Sequence, residues 1–343
     1  MQAKQPLTSR DMFIWPLMLM LLIASFLVSL SIGAYHIPIT DIFTSLFQSI
    51  SGMRKGTAAI TTMETALYEI RIPRIILAIA VGMSLAGSGV SLQALFRNPL
   101  IDPFILGVSA GAALGAALSL AFLPHIPVQI ASFVCGLSAV TLALFLARSR
   151  REVPVLSLIL AGIVVSSLFS AGIAVIQLMV DPYRLGSIIF WLMGSLTNAS
   201  WKVIVSVVPL MVFGLVLLHL MRWRLNILSM GEEEARALGM NAACYRTIII
   251  VIASLLTALS VSVCGIIGWV GLMVPHMARL IVGSEHKRLV PFTILSGGIF
   301  MLWVDTLARG LTDFEIPVGI ITSLCGAPFF MFLLKRSREI WES

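Results

Sequence analysis

Ten times along this chain an apolar stretch of nearly membrane-spanning length recurs, and that repetition limits the fold more than any single motif. The stretches lie near 14–32, 75–95, 104–123, 128–147, 155–180, 203–220, 246–265, 267–283, 290–308 and 316–334. A helix needs about 20 mostly apolar residues to cross the hydrocarbon core of a bilayer. In lipid the backbone must satisfy its own hydrogen bonds, which a helix does and an open sheet edge does not. The expectation is an all-α integral membrane protein of about ten transmembrane helices, a single transmembrane domain over residues 1–343. Charge agrees, since only 11% of the 343 residues are charged and 59% are hydrophobic. A soluble protein carries roughly 25% charged residues to clothe its surface. The first stretch is too long for the apolar region of a cleavable signal and reads as a span.

Lys and Arg in short connecting segments set the expected orientation. Lys4 and Arg10, Arg97, the group Arg148, Arg150 and Arg151, the pair Arg222 and Arg224, Lys287 with Arg288, and the tail Lys335, Arg336 and Arg338 fall on one side. That side is assigned to the cytoplasm, and both termini are expected there. Segments 33–74, 121–127, 181–202 and 309–316 fall outside, and Arg71, Arg74 and Arg309 land there against the rule. A charge that breaks the rule at a membrane boundary asks for a functional reason. The net charge of +7 does not point to nucleic acid, because the basic residues are not pooled into a patch with aromatics. Cys135, Cys244, Cys264 and Cys325 form no CxxC pair, so neither a disulfide framework nor a metal site is indicated.

Gly107, Gly111 and Gly115 recur every four residues, a spacing that puts small residues on one helix face for close packing. The segment 222–245 is the longest stretch between spans on the inner side. In it Glu232, Glu233 and Glu234 precede Gly239, which reads as a short helix with acids in its first turn and glycine as its stop. An interfacial helix that binds anionic lipid is normally basic, so an acidic one suits a protein partner. No GxxxxGK[ST] loop, HExxH site or GxSxG elbow occurs. His276 and Arg279 sit three apart and read first as a tie to loop carbonyls, with a proton relay as the alternative, while Asp305 and Arg309 are spaced to pair. Few other ionisable residues fall within the spans. An ion-coupled secondary transporter, which usually places carboxylates at the midplane, is therefore the weaker alternative.

The stretch RIPRIILAIAVGMSLAGSGVSLQALFRNPLIDPFILGVSAGAALG (71–115) resembles the signature of the iron-chelate and cobalamin permeases of ABC importers, the FecCD-like type II group. GEEEARALGM (231–240), GIIGWVGLMVPHMARLIVG (265–283) and EIPVGIITSLCGAPFFMFLL (315–334) are similar to that family in the same order, from about residue 67 to the end. The resemblance implies a homodimeric permease in the bacterial cytoplasmic membrane, worked by alternating access. Its partners would be two ABC ATPase subunits inside and a periplasmic or lipid-anchored substrate-binding protein outside. This chain would bind no cofactor of its own, with ATP and Mg on the ATPase, and would make or break no covalent bond. The substrate would be a metal chelate, with ferric siderophore the leading class and haem or cobalamin as alternatives. Residue by residue, ATPase coupling falls on Gly231, Glu232, Glu233, Glu234, Ala235, Arg236, Leu238 and Gly239, and binding-protein docking on Arg71, Arg74 and Arg309. The gate falls on Asn98 and Leu100 and on Val155 and Leu156, where the chain departs from the cobalamin permease by having larger apolar residues. Ser166, Ser167 and Ser170 of the fifth span would line the path.

Overall fold

The computed structural model describes residues 9–33, 38, 40, 41, 44, 62–148, 155–312 and 314–341. A helix occupies each of the ten apolar stretches: α1 (Ser9–Ser31), α2 (Ile72–Leu95), α3 (Val108–Phe122), α4 (Val128–Ala147), α5 (Val155–Met179), α7 (Trp201–Leu220), α10 (Ala242–Cys264), α11 (Val270–Val282), α12 (His286–Gly310) and α13 (Val318–Trp341). Seven helices are long and apolar enough to cross a membrane, while the apolar segments Val108–Phe122, Val270–Val282 and Val318–Leu333 are shorter. Between them, among the described residues, lie α6 (Pro182–Leu192), α8 (Arg222–Met230) and α9 (Glu232–Ala237), besides a single helical turn over Thr62–Thr65. No strand occurs among the described residues. A π-helical turn over Ala66–Arg71 leads into α2.

Local chemistry explains the helix starts. Asp181 accepts from the N–H groups of Tyr183 and Arg184, and Pro182 begins α6 where no N–H is needed. Ser200 caps α7, and the Asn241 side chain accepts from the Cys244 N–H to cap α10. The segment 222–245 holds two helices rather than the one expected, because RWRLNILSM buries Leu225 and Leu228 before Gly231 breaks the run.

Helix α2 is the centre of the bundle. Of the apolar window that ends at Leu95, 83% is buried inside the protein, against 22% for α5. Lipid tails are as apolar as leucine, so close backbone packing must supply much of helix association. Here it does. A Cβ on Gly82 would overlap the Gly297 carbonyl oxygen, and one on Gly297 would overlap that of Gly82, so α2 and α12 meet backbone to backbone. Gly89 meets the Gly271 carbonyl of α11 in the same way. Gly111 and Gly115 pack α3 onto Cys135 and Ala131 of α4, as their spacing suggests. Gly107 does not belong to that ladder. It precedes α3 as its cap, at φ +82°, where the short 3-10 turn Pro103–Leu106 swings into the helix. The left-handed backbone explains this glycine better than helix packing does.

These contacts set up a paired test. Gly89→Ala is expected to lower the stability of the purified protein by about 1–3 kcal/mol through overpacking. Gly186→Ala, on α6 with nothing within 4 Å of the added Cβ, is expected to leave it unchanged or higher. Thermal unfolding midpoints in one detergent measure both.

Candidate functional site

The rule-breaking arginines come together where α2 begins and α12 ends. Arg71, Arg74 and Arg309 are 5%, 4% and 7% exposed, and Asp305 between them is 0% exposed. Asp305 gives one carboxylate oxygen to each neighbour, 2.9 Å from Arg74 Nε and 3.0 Å from Arg309 Nε. Arg74 Nη1 also donates to both oxygens of Glu315, at 2.8 and 2.9 Å. Arg309 reaches α1, donating to Ser29 Oγ at 2.8 Å and to the Ile32 carbonyl at 3.2 Å. Arg71 donates to the Leu30 and Ser31 carbonyls at the same helix end.

The docking expectation needs correction in its geometry. None of the three arginines presents an open guanidinium; the exposed charge of the cluster is Glu315, at 44%. A guanidinium buried without an acid is costly by several kcal/mol, and Asp305 and Glu315 supply the acids for Arg74 and Arg309. Burial disfavours ionisation of Glu315, but Arg74, with help from the Thr197 hydroxyl at 2.8 Å and from Arg309, holds its carboxyl below the usual range. Thr197 in turn meets Ser195 Oγ at 2.5 Å, and the Ser195 N–H donates to the Cys264 carbonyl at 2.7 Å. Beside this chain of hydroxyls lies a cavity of about 570 Å³, lined by Gln129, Tyr183, Ser187, Trp191, Ser195 and Ser262 among others, with no Asp, Glu, Lys, Arg or His in its wall.

The coupling residues sit at the opposite end of α12. Gly231 opens α9 at φ +147°, Ala235 is fully buried as its anchor, and Glu232 pairs with Arg246 of α10 and with Arg236 at 3.7 Å. Glu233, Glu234, Arg236, Leu238 and Gly239 face outward, with Leu238 64% exposed. Gly239 has φ +76° and open space around it. The Asn98–Leu100 turn belongs to the same region, since Arg97 Nη1 lies 3.5 Å from where a Gly231 Cβ would sit. In that turn Arg97 takes φ +50°, Asn98 Oδ1 accepts from the Leu100 N–H at 2.9 Å, and Leu100 is exposed. On α5, Val155 packs against the core and Leu156 is exposed. Ser166 sits beside Gly107, Ser167 donates to the Ile163 carbonyl at 3.0 Å, and Ser170 is exposed.

Residues 21–336 match the FecCD transport family. The chain belongs to that family. It is 41% identical over 281 residues to the probable iron chelatin transport system permease protein of Helicobacter pylori, covering 82% of this chain and 86% of that one. It is 38% identical over 323 residues to the molybdate import system permease of Haemophilus influenzae, covering 93% and 94%. A solved inward-facing conformation of a metal-chelate type ABC transporter superposes with a TM-score of 0.82 at 36% identity, covering 94% of this chain and 99% of that one. This FecCD-family chain is therefore a transport permease subunit of the ABC class. Hydrolysis of ATP lies in separate ATPase subunits, and the family implies a substrate-binding partner as well.

Glu315 and Thr197 are the residues of this FecCD-family cluster that sequence reading missed. One signal was available: Glu315 stands immediately before an apolar stretch, on the side that carries the three misplaced arginines. The cluster predicts unequal costs. Asp305→Ala leaves buried Arg309 without its acid and Arg74 with Glu315 alone, and is expected to destabilise by about 3–5 kcal/mol. Glu315→Gln removes a half-exposed partner and is expected to cost within ~1 kcal/mol. Denaturation of the purified variants separates the two.

Proposed function

We propose that this chain is the membrane-spanning permease of an ABC importer for a metal chelate, working as a homodimer in a bacterial cytoplasmic membrane. The observation that carries this is α9. It is a short helix locked to the bundle by Ala235 and by the Glu232–Arg246 pair, yet it turns Glu233, Glu234 and Leu238 outward. Such a projection suits insertion into a groove on an ATPase. Residues 231–239 would then carry ATPase motion into α10 through Arg246 and towards the Asn98–Leu100 turn through Arg97. ATP and Mg stay on the ATPase. In this reading the whole chain forms one permease domain of ten spans, with α9 and both termini cytoplasmic.

The substrate-binding protein docks at the opposite end, over the arginine cluster. Glu315 is the exposed member of that cluster and lies over Arg74, so the binding protein would meet this carboxylate first. Alternating access follows as bundles rock about the packed centre. Helix α5 exposes Leu160, Val164 and Leu168 and supplies the face between the two copies, with Ser166, Ser167 and Ser170 and the Val155–Leu156 position lining the path and its gate. A cavity wall of amides, hydroxyls and aromatic rings without charge favours passage of a bulky chelate over tight retention. Ferric siderophore leads as the substrate, with haem and cobalamin next.

The test is reconstitution with the ATPase and binding protein in liposomes. Leu238→Asp, and separately the double reversal Glu233→Lys with Glu234→Lys, are expected to lower uptake at least ~10-fold while ATP hydrolysis by the ATPase persists. Normal uptake in both variants would exclude α9 as the coupling element.

A further inference from the structure

His276 Nδ1 and Arg279 Nη1 make no tie to a loop carbonyl, and both are closed off from any ligand. The cavity beside α6 is different, because its unused polar groups face open space. Its volume of about 570 Å³ falls within the range of small-molecule sites, roughly 300–1,000 Å³. Gln129, Trp191 and Asn198 line it, and among the described residues their side chains make no hydrogen bond. Two carboxamides and an indole N–H are therefore left to a ligand. Tyr183 and Phe190 supply aromatic surface beside them.

Ser195, also in the wall, is oriented by a charge it does not touch. Arg74 keeps Glu315 ionised through hydrogen bonds of 2.8 and 2.9 Å, and an ionised carboxylate only accepts. The Thr197 hydroxyl must then give its one proton to Glu315 Oε2, at 2.8 Å. Towards Ser195 Oγ, 2.5 Å away, Thr197 can only accept. So Ser195 donates to Thr197, and it also accepts the Thr197 N–H at 3.1 Å. A hydroxyl has one proton and two lone pairs. What Ser195 keeps for the cavity is a lone pair.

The other charges nearby do not reverse this polarity. Asp181 takes the first N–H groups of α6 and pairs with Arg184 at 3.3 Å. At the start of α4, Val128 and Gln129 have no side-chain cap; their backbone donors suit a carbonyl oxygen as well as an anion and do not decide the charge. An anion entering here would leave water for a wall without a cation, which is costly. It would also meet the Ser195 lone pair, with the Glu315 carboxylate behind it.

We propose that this cavity is a contact site for the chelate in transit, and that it selects an uncharged chelate whose organic shell carries N–H or O–H donors as well as carbonyl oxygens. Ser195 accepts from the shell, while Gln129, Trp191 and Asn198 donate to its carbonyls. The selection rests on the reading of this chain as a chelate permease. Within that reading it places uncharged ferric chelates ahead of haem, whose carboxylates are anionic, and ahead of free oxyanions.

The experiment uses the permease–ATPase complex, purified in detergent without its binding protein, so that only selection by the permease is measured. Ferrichrome (an uncharged ferric trihydroxamate on a peptide ring), the trianionic ferric enterobactin and molybdate are titrated up to about 1 mM. Bound mass by native mass spectrometry and the thermal midpoint are the readouts. Ferrichrome is expected to bind, and Ser195→Ala and Trp191→Phe are each expected to weaken it at least ~10-fold. The two anions are expected not to bind. Gln129→Lys puts a cation in the wall and is expected to admit ferric enterobactin; Gln129 is only half-buried, so this variant carries the test if Ser195→Ala fails to fold. Equal binding of either anion to the wild type overturns the selection. Unchanged ferrichrome binding in Ser195→Ala and Trp191→Phe, or no binding of any probe, overturns the site. Failure of the permease reading itself looks different, because no ATPase would then purify with the chain.

Discussion

Helix α2 meets its neighbours with almost no side chain between the backbones. Gly82 and Gly297 each stand where the other's carbonyl would exclude a methyl group, and Gly89 does the same against Gly271. In water such a contact would be one contribution among many. In lipid, where burial of apolar surface between helices gains little, the dispersion energy of backbones at this distance becomes a principal source of cohesion. Helices α2, α11 and α12 therefore form a close-packed unit, while α5, with long apolar side chains such as Leu178 at 87% exposure, belongs to its periphery.

The charged cluster at one end of this unit settles register more than it adds stability. Buried ion pairs roughly break even against apolar replacements, yet removing one member of a pair is severe. Asp305 is bound to a side chain from each of two helices, and Arg309 continues to the end of α1. A slip of α2 against α12 by one residue would leave a charge without its partner. The glycines permit close approach, and Asp305 selects one alignment among those the glycines allow.

Much of this was legible in the sequence, and the exceptions have physical causes. Apolar run length is a direct consequence of bilayer thickness, so the positions of the helices could be read off. The α9 helix was legible because three glutamates at its start and Gly239 at its end are local signals. Gly107 was misread because a four-residue spacing does not distinguish a residue inside a helix from the cap before it. The arginines broke the positive-inside rule because that rule counts Lys and Arg and largely ignores acids. Their compensating carboxylates lie 231 and 241 positions from Arg74 along the chain, a separation that only the folded bundle closes.

Helix α12 joins the two ends without a break. Its 25 residues run from His286, beside the helices that carry α9, to Asp305 and Arg309 in the arginine cluster, a length of about 37 Å. A rigid helix locked by backbone contact at its middle cannot shift at one end alone. Any ligand that favours one placement of α12 at Asp305 must alter the affinity of whatever binds near His286, and by thermodynamic reciprocity the second must alter the first by the same factor. The bundle is thus a two-sided balance, in which occupancy of either face can be read as a change in binding at the other.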